Sequence, residues 1–504
     1  TYQILEPGTL NWTDISVNLI ANEKDIYFKY NGEPITGTGV AIRCDYVHVE
    51  TLTIGSASID KFGYSLSTNY YGTFLFVGTP NKDYSVDIQN WGKTYVYNRL
   101  VQTIAMDTDY NPVSPPEYTL AWAPNTQKPL YVTKNGVLVE SSLYYVHNNK
   151  LLYTGYYTIG DILNVSGNYF VNIQTLDTQQ TPRIGVGFGT SVDNNTHATE
   201  VLVGAPFALN DNNEGAAYRF TNAGTKFGVI SGTTTVNVTE NRTLLLNGYI
   251  VDIPVGNATI VTNAINSAGV LNVQAADSNG KLVISIVNQD LALAEQKLLI
   301  SVTDEITLVE LGITVYTQTQ IVKCPHNIGP TQFGTVVKFN EHDSVAISAP
   351  VGTRVSQTLF DFTDDENLDN DTIFDNNATQ FIDSYQHAGA VYTFDYLENY
   401  NESLSNLGTF TYAQSVNAIN EYYGAAPKYG TAIDWNTNTI VIGAPNYRPE
   451  DIDGQAIIYV STTGVKDWNI YRKSGEVVNI DNIQNIKLFS AETNNTLISL
   501  DYID

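Results

Sequence analysis

The sequence predicts an all-β fold organised around four diverged repeats of one strand–turn–strand unit. Three observations carry that reading. Charged residues make up only 15% of the 504 positions, and 34 tyrosines with abundant Asn, Thr, Ser and Gly stand in their place. β-branched and aromatic side chains suit a pleated surface, while Asn and Gly accept the positive φ of tight turns. Few stretches carry apolar residues at helical spacing. The third observation is the internal repeat itself.

Four segments share one pattern. Phe62-Gly63-Tyr64-Ser65-Leu66 leads to Val77-Gly78-Thr79-Pro80, and Phe188-Gly189-Thr190-Ser191-Val192 to Val203-Gly204-Ala205-Pro206. Phe333-Gly334-Thr335-Val336-Val337 leads to Ile347-Ser348-Ala349-Pro350, and Tyr429-Gly430-Thr431-Ala432-Ile433 to Ile442-Gly443-Ala444-Pro445. From the first glycine to the second, or to Ser348 in its place, the distance is 15, 15, 14 and 13 residues. Each unit then reaches a further glycine with apolar residues at +3 and +5. These are Gly92 with Tyr95 and Tyr97, Gly215 with Tyr218 and Phe220, Gly389 with Tyr392 and Phe394, and Gly454 with Ile457 and Tyr459.

Each piece has a physical reason. The aromatic–glycine pair buries a ring while the glycine turns the backbone tightly beside it. The alternating residues that follow form a strand with one buried face. Proline ends the second strand because it has no N–H to donate. The Gly-x-x-Tyr-x-Phe segment returns as a third strand. One such sheet cannot cover its own apolar faces, so the units must stack on one another.

These residues resemble the FG-GAP repeat, the unit of integrin-like β-propellers and of many bacterial and viral surface proteins. The resemblance spans about 45 residues per unit, under half of the chain. It implies a four-stranded propeller blade per unit and a ring of usually about seven; four are visible, and the others are too diverged to see, supplied by residues 1–50 and 461–504, or beyond this piece of sequence. Integrin-like repeats carry a D-x-D-x-D-G calcium loop between the two landmarks. Here those loops read 67–72, 193–197, 339–343 and 434–438, and none supplies carboxylates at alternating positions for six to eight oxygen ligands. They are similar to the metal-free bacterial variant, a simple hairpin turn.

Two insertions interrupt the repeats. Leu130 to Val139 reads as a strand, an Asn135-Gly136 turn of the I′ kind and a second strand, continuing through Tyr144–Tyr153 and Gly160–Val165. This outlines a small β-sandwich and resembles a module of tailed-phage fibres and baseplates. In the second insertion, apolar residues at 260, 261, 264, 265 and 268 mark a helix ended by Gly269, with strands at 273–275 and 282–287 and a short helix near 308–311. This α+β unit resembles accessory domains of flagellar filament and phage tail proteins. The organisation expected is an N-terminal β segment at 1–50, blades at 51–99, 181–220, 326–396 and 397–460, the sandwich at 100–180, the α+β module at 221–325 and the start of a further β unit at 461–504.

Charge and cysteine content limit the function. With 25 basic against 52 acidic residues the net charge is −27, which repels phosphate backbones and argues against nucleic acid as a partner. Cys44 and Cys324 form no C-x-x-C pair, so two isolated buried thiols are expected rather than a redox or zinc site. No apolar run spans a bilayer and no secretion signal is visible. Thr1 in place of Met, and the end Leu500-Asp501-Tyr502-Ile503-Asp504, point to a processed chain or a piece of a longer one.

No candidate for chemistry stands out in the sequence. The acidic loop Asp361, Asp364, Asp365, Glu366, Asp369, Asp371, Asp375 and Asp383 separates Pro350 from Gly389 by 39 residues, against 9 in the second and fourth units. Its spacing matches no cation loop, and runs of like charge are ordinarily solvated. Asp451 and Asp453, and Asp211 and Glu214, precede turn glycines as ordinary turn formers. His48, His147, His197, His326, His342 and His387 are scattered, with no nucleophile elbow or phosphate loop nearby. The expectation is therefore no catalytic, cofactor-binding or metal residue, and no enzyme. Most tyrosines fill blade cores; exposed ones beside Asn and Ser make sugar- or protein-binding surface.

Together with the resemblances, this gives a structural virion protein of a tailed bacteriophage, peripheral to tail, baseplate, neck or fibre. Its partners would be other virion proteins or itself in a symmetric assembly, and a host-surface glycan or receptor. The rival readings are a bacterial secreted or cell-surface adhesin, betrayed by a signal peptide in the full gene, and a polysaccharide-active enzyme with a propeller domain, betrayed by a carboxylate pair in a blade cleft.

Overall fold

The aromatic–glycine corner opens an antiparallel sheet in each repeat. The computed structural model describes residues 60–351 and 389–460, apart from 109, 112, 125–129, 210–213, 288–296, 326–330, 398–408, 417–427, 437–438 and 446–454, with short pieces at 2–6, 9, 11, 27–28, 38, 40–43, 50–54, 470–471, 477–478, 488–489 and 499–500. The first sheet runs in the order Ser65–Thr68, Phe74–Thr79, Lys93–Ala105, Ile162–Leu176, and the second Ser191–Asn194, Glu200–Ala205, Ala216–Asn222, Tyr316–Lys323. The third is Val337–Phe339, Val345–Ala349, Ala390–Leu397, Thr409–Val416; the fourth shows Ala432–Trp435, Thr439–Ala444 and Gln455–Val460. The chain is all-β and propeller-like, its sheets following one another as blades.

The repeat is legible in the backbone. Gly63, Gly189, Gly334 and Gly430 hold φ of 84, 87, 91 and 91°, and the residue two before each, Lys61, Gly187, Gln332 and Lys428, is also left-handed at 56, 66, 53 and 50°. Within a sheet, the corner N–H donates to the carbonyl at the second landmark: Gly189 to Gly204, Gly334 to Ser348 and Gly430 to Gly443, at 2.9–3.1 Å. The corner ring is clasped by the +3 and +5 aromatics of its own third strand. Phe188 meets Tyr218 and Phe220 at 5.5 and 6.0 Å, Phe333 meets Tyr392 and Phe394 at 5.9 and 6.1 Å, and Phe62 meets Tyr95 and Tyr97 at 5.8 and 6.4 Å. Such edge-on pairs add roughly 0.5–1.5 kcal/mol beyond area burial.

Successive sheets are joined by the same corner. Gly92 and Gly215 bridge in parallel to Phe188 and Phe333 of the next sheet, and the Phe188 and Phe333 N–H groups donate to the carbonyls of Trp91 and Glu214. Ser65 Oγ donates to the Gly189 carbonyl and Ser191 Oγ to that of Gly334, both at 2.9 Å. Apolar cores fill the gaps. Leu202, Ala217, Phe333, Val337 and Ile347 lie between the second and third sheets, and Ala346, Val391, Tyr429 and Ile442 between the third and fourth.

Both insertions enter between a third and a fourth strand. Residues 162–176 and 316–323, grouped with the insertions in the sequence reading, hydrogen-bond as outer strands of the first and second sheets. The strands Lys93–Ala105 and Ile162–Leu176 run on beyond the blade to carry Tyr131–Lys134 and Val137–Leu138, opposite a sheet of Glu117–Thr119, Lys150–Tyr153 and Tyr144–His147. The Asn135-Gly136 turn has φ of 50 and 81°, as type I′ demands. In the second insertion the helix Ala258–Ser267 is capped by Asn257 and followed by Gly269 at φ 66°. Its buried stripe is Ala258, Val261, Thr262 and Ile265, while Ile260 is exposed. The predicted stripe is thus turned by about one residue, with Ala258 and Thr262 buried where Ile260 and Ala264 were expected.

Cys324 is buried; Cys44 lies outside the described residues, as do the acidic loop 361–383, Asp211, Asp451, Asp453, His48, His326 and His387. Among the described residues no helix is long and apolar enough to cross a membrane.

Candidate functional site

The turn between the first two strands of each sheet is built by one residue type at one place. Six residues past the corner glycine stands Asn69, Asn195, Asn340 and Asn436. Asn69 Oδ1 accepts from the N–H groups of Thr73 and Phe74, Asn195 Oδ1 from Thr199 and Glu200, Asn340 Oδ1 from His342 and Ser344, and Asn436 Oδ1 from Thr439, at 2.8–3.2 Å. A carboxamide is enough to hold these turns; no cation is needed to organise them. Among the described residues no group of three His, Cys, Asp or Glu comes together. The sequence reading quoted these loops for their lack of carboxylates and passed over the asparagine, whose constant offset was the available signal.

The three larger turns form one rim. Tyr70 and Tyr71 project from the first, and Tyr70 is 81% exposed. The Tyr70 N–H donates to the Thr196 carbonyl of the second turn at 3.1 Å. The Tyr71 ring stacks on His197, with centroids 5.8 Å apart and planes at 23°, and meets Tyr70 edge-on at 5.3 Å. The third turn adds Glu341, His342 and Asp343, and Asn195 of the second turn lies close enough to Asp343 to oppose the rise of its carboxyl. Rigid turns thus hold ring faces, imidazoles and the Glu341 carboxylate side by side in solvent, with Asp343 half-buried behind them. Such a surface binds flat or amphipathic partners by stacking and hydrogen bonding.

Behind the rim, the first strands of the four sheets present Ser67, Asp193, Lys338 and Asp434 at the same repeat position. Ser67 Oγ donates to Asp193 Oδ1 at 2.8 Å, and Lys338 Nζ lies 3.8 Å from Asp193 and 3.7 Å from Asp434. Burial pushes the Asp193 carboxyl up, against the pull of Lys338 and the Phe339 N–H. This polar line runs across the leading strands of all four sheets. Glu214, weighed as a turn former, is half-buried, and its carbonyl accepts from Phe333. His147 stacks flat on Tyr145 in the first insertion, remote in sequence from the rim.

Asp343 carries a testable pH dependence. Burial raises its carboxyl above the ordinary value, with Asn195, Lys226 and His197 opposing and Glu200 adding to the shift. A carboxyl raised by folding holds its proton more tightly in the folded state. The stability it contributes is full below its unfolded value and lost as pH rises through the folded one. Asp343 also sits at φ 62°, which asparagine tolerates. Asp343→Asn is expected to gain about 0.5 kcal/mol at pH 7, with the gain shrinking as the pH is lowered into the acid range, read from urea midpoints.

No family model matches the chain, and no curated protein matches it. A solved structure, the periplasmic gluconolactonase PpgL of Pseudomonas aeruginosa, aligns with 96% of this chain and 90% of that chain, at a TM-score of 0.22 and 9% identity. The expectation that the chain is not an enzyme is withdrawn on this finding, since the protein it aligns with is one; a likeness so distant assigns no reaction here.

Proposed function

We propose that the chain is a structural and recognition protein of a tailed-phage particle, set at the periphery of the tail, baseplate, neck or fibre. Four FG-GAP blades form the frame, and the two insertions and the turn rim meet other particle proteins or the host surface. The observation that carries this reading is the rim of Tyr70, Tyr71 and His197, exposed aromatic surface on asparagine-locked turns. The resemblance of both insertions to phage modules is what supports the particle setting. Antibodies raised against the purified chain should decorate phage tails in electron micrographs. Phage carrying Tyr70→Ala with Tyr71→Ala should assemble and adsorb at least tenfold more slowly. Label confined to bacterial envelopes would overturn the particle assignment in favour of a surface adhesin. Unchanged adsorption would remove the rim from recognition.

A further inference from the structure

We propose that Asn279, in the turn Asn279-Gly280 of the second insertion, is a self-modifying site that sheds its side-chain amide to become aspartate and isoaspartate. The same dipeptide at Asn135-Gly136 and Asn247-Gly248 stays intact. The inference stands apart from the assignment to a particle. By sequence the three pairs are alike, and a fourth, Asn31-Gly32, lies outside the described residues. The fold tells the three apart.

The chemistry needs only water. The Gly280 nitrogen attacks Asn279 Cγ and gives up its proton; the Cγ–Nδ2 bond breaks and ammonia leaves, closing a five-membered imide. Water then opens the imide at either carbonyl. One opening gives aspartate, the other isoaspartate, with the chain routed through the side chain. One water is consumed and one ammonia released. Glycine favours the attack because no Cβ crowds its nitrogen. Backbone conformation does not separate the sites, since the asparagines sit at φ 50, 50 and 56° and their glycines at 81, 84 and 80°. What differs is the freedom of the carboxamide, and of the peptide plane that must turn toward it.

Two of the three are tied down. Asn135 Nδ2 donates to Asp161 Oδ1 at 2.7 Å, and its Oδ1 accepts from the Ile162 N–H at 2.9 Å. Asn247 Oδ1 accepts from the Leu299 N–H at 2.8 Å. The moving peptide plane of that turn is held as well, because the Asn247 carbonyl accepts from Thr103 Oγ1 at 3.2 Å. The next carbonyl, that of Gly248, takes the Thr103 N–H at 2.8 Å, and a Cβ on Gly248 would lie 2.3 Å from Thr103 Oγ1. Asn279 is exposed, and among the described residues its carboxamide makes no hydrogen bond. The Gly280 carbonyl accepts from the Val236 N–H, but that bond lies beyond the plane that turns.

The turn also brings a base to the reacting atom. The Gly280 N–H donates to Asp277 Oδ1 at 2.8 Å, and Asp277 Oδ2 accepts from Thr259 Oγ1 at 2.7 Å. The carboxylate thus rests on the proton that the attacking nitrogen must lose, and as a side chain it can follow that nitrogen as the plane turns. The product alters the module. It places a new carboxylate two positions from Asp277. In the isoaspartate form it lengthens the turn that Ser278 and Lys281 close, between the strands Val273–Ser278 and Lys281–Ile286.

The experiment ages the full chain in warm, mildly alkaline buffer and follows each site by tryptic peptide mass, with isoaspartyl methyltransferase reading the isoaspartate. Cleavage after Lys134, Lys150, Arg242 and Lys281 puts Asn135 in peptide 135–150 and the other two sites in 243–281, where fragment ions place the change. Asn279 should convert roughly tenfold faster than Asn135 or Asn247, the worth of the one or two hydrogen bonds those must first release. In urea, where the fold no longer acts, the three rates should draw together. Asp161→Ala should speed conversion at Asn135 alone, and Asp277→Asn should slow it at Asn279 alone. Equal rates in the folded chain, or a lead for Asn135 or Asn247, overturn the site. A lead for Asn279 that persists in urea overturns the fold as its cause. Faster conversion in Asp277→Asn would make that carboxylate a tether and overturn its part as the base.

Discussion

Gly204→Ala is expected to unfold the junction between the second and third sheets at a cost above about 3 kcal/mol, the upper range for a single substitution. The added methyl would stand 1.9 Å from the Gly334 carbonyl oxygen and 2.2 Å from Ser191 Oγ. Neither neighbour can give way cheaply. The Gly334 carbonyl accepts from Ser191, and the Gly334 N–H donates to Ser348. Moving that corner would also drag Phe333 from between Tyr392 and Phe394. Gly63→Ala is the control. It imposes left-handed strain, at φ 84°, that Gly204 in its strand does not carry, but within the described residues its methyl meets nothing. Its cost should stay near the ~1–2 kcal/mol of a non-glycine residue in that region. Paired urea titrations, with fluorescence following the sheets, decide the matter. A loss at Gly204 no larger than that at Gly63 would show that the contact between sheets at Gly204 adds little.

The same comparison explains which features could be read from the sequence. The aromatic–glycine corners and the +3 and +5 aromatics were visible because one local rule governs them four times over. The outer strands of the first two sheets were not. Tyr316–Lys323 pairs with Ala216–Asn222 across the whole second insertion, and nothing local marks a partner so far away. The left-handed residues before the corner were hidden for another reason: Lys61, Gln332 and Lys428 take a conformation their side chains do not advertise. The rim was half visible. An excess of tyrosine predicted both core and surface rings, but only the fold brings Tyr71 onto His197, 126 positions on. Among the asparagine turns, Asn247-Gly248 and Asn279-Gly280 repeat the type I′ signature read at Asn135-Gly136 and could have been found by the same rule.

Least visible of all was a buried ion cluster, because Glu200 and Arg219 read as surface residues in sequence. Arg219 is fully buried; its Nε and Nη2 donate to Glu200 Oε2 and Oε1 at 2.8 and 2.7 Å. Lys226, from the short helix Ala223–Phe227, reaches both Glu200 and the Tyr396 hydroxyl. Tyr396 and Phe410 of the third sheet lie over the guanidinium, each with its ring centroid 5.0 Å away. Burial alone would lower the arginine's proton affinity, and the bonds to Glu200 reverse that, leaving it raised. In the first sheet the same two positions hold Phe74 and Val96, capped by Tyr316 as Phe410 caps Arg219. The fold therefore accepts an apolar solution at this place. Removing one partner strands a buried charge, so Arg219→Leu and Glu200→Gln should each cost about 3–5 kcal/mol. Glu200→Phe with Arg219→Val and Lys226→Met transplants the first sheet's solution and strands no charge, the Thr221 hydroxyl keeping Thr319 as its partner, so it should fall within about 1 kcal/mol of wild type. Urea midpoints of the singles and the triple test this directly. Mild single substitutions would mean that water reaches the cluster, and a triple as damaged as either single would mean that the charges themselves hold the two sheets together.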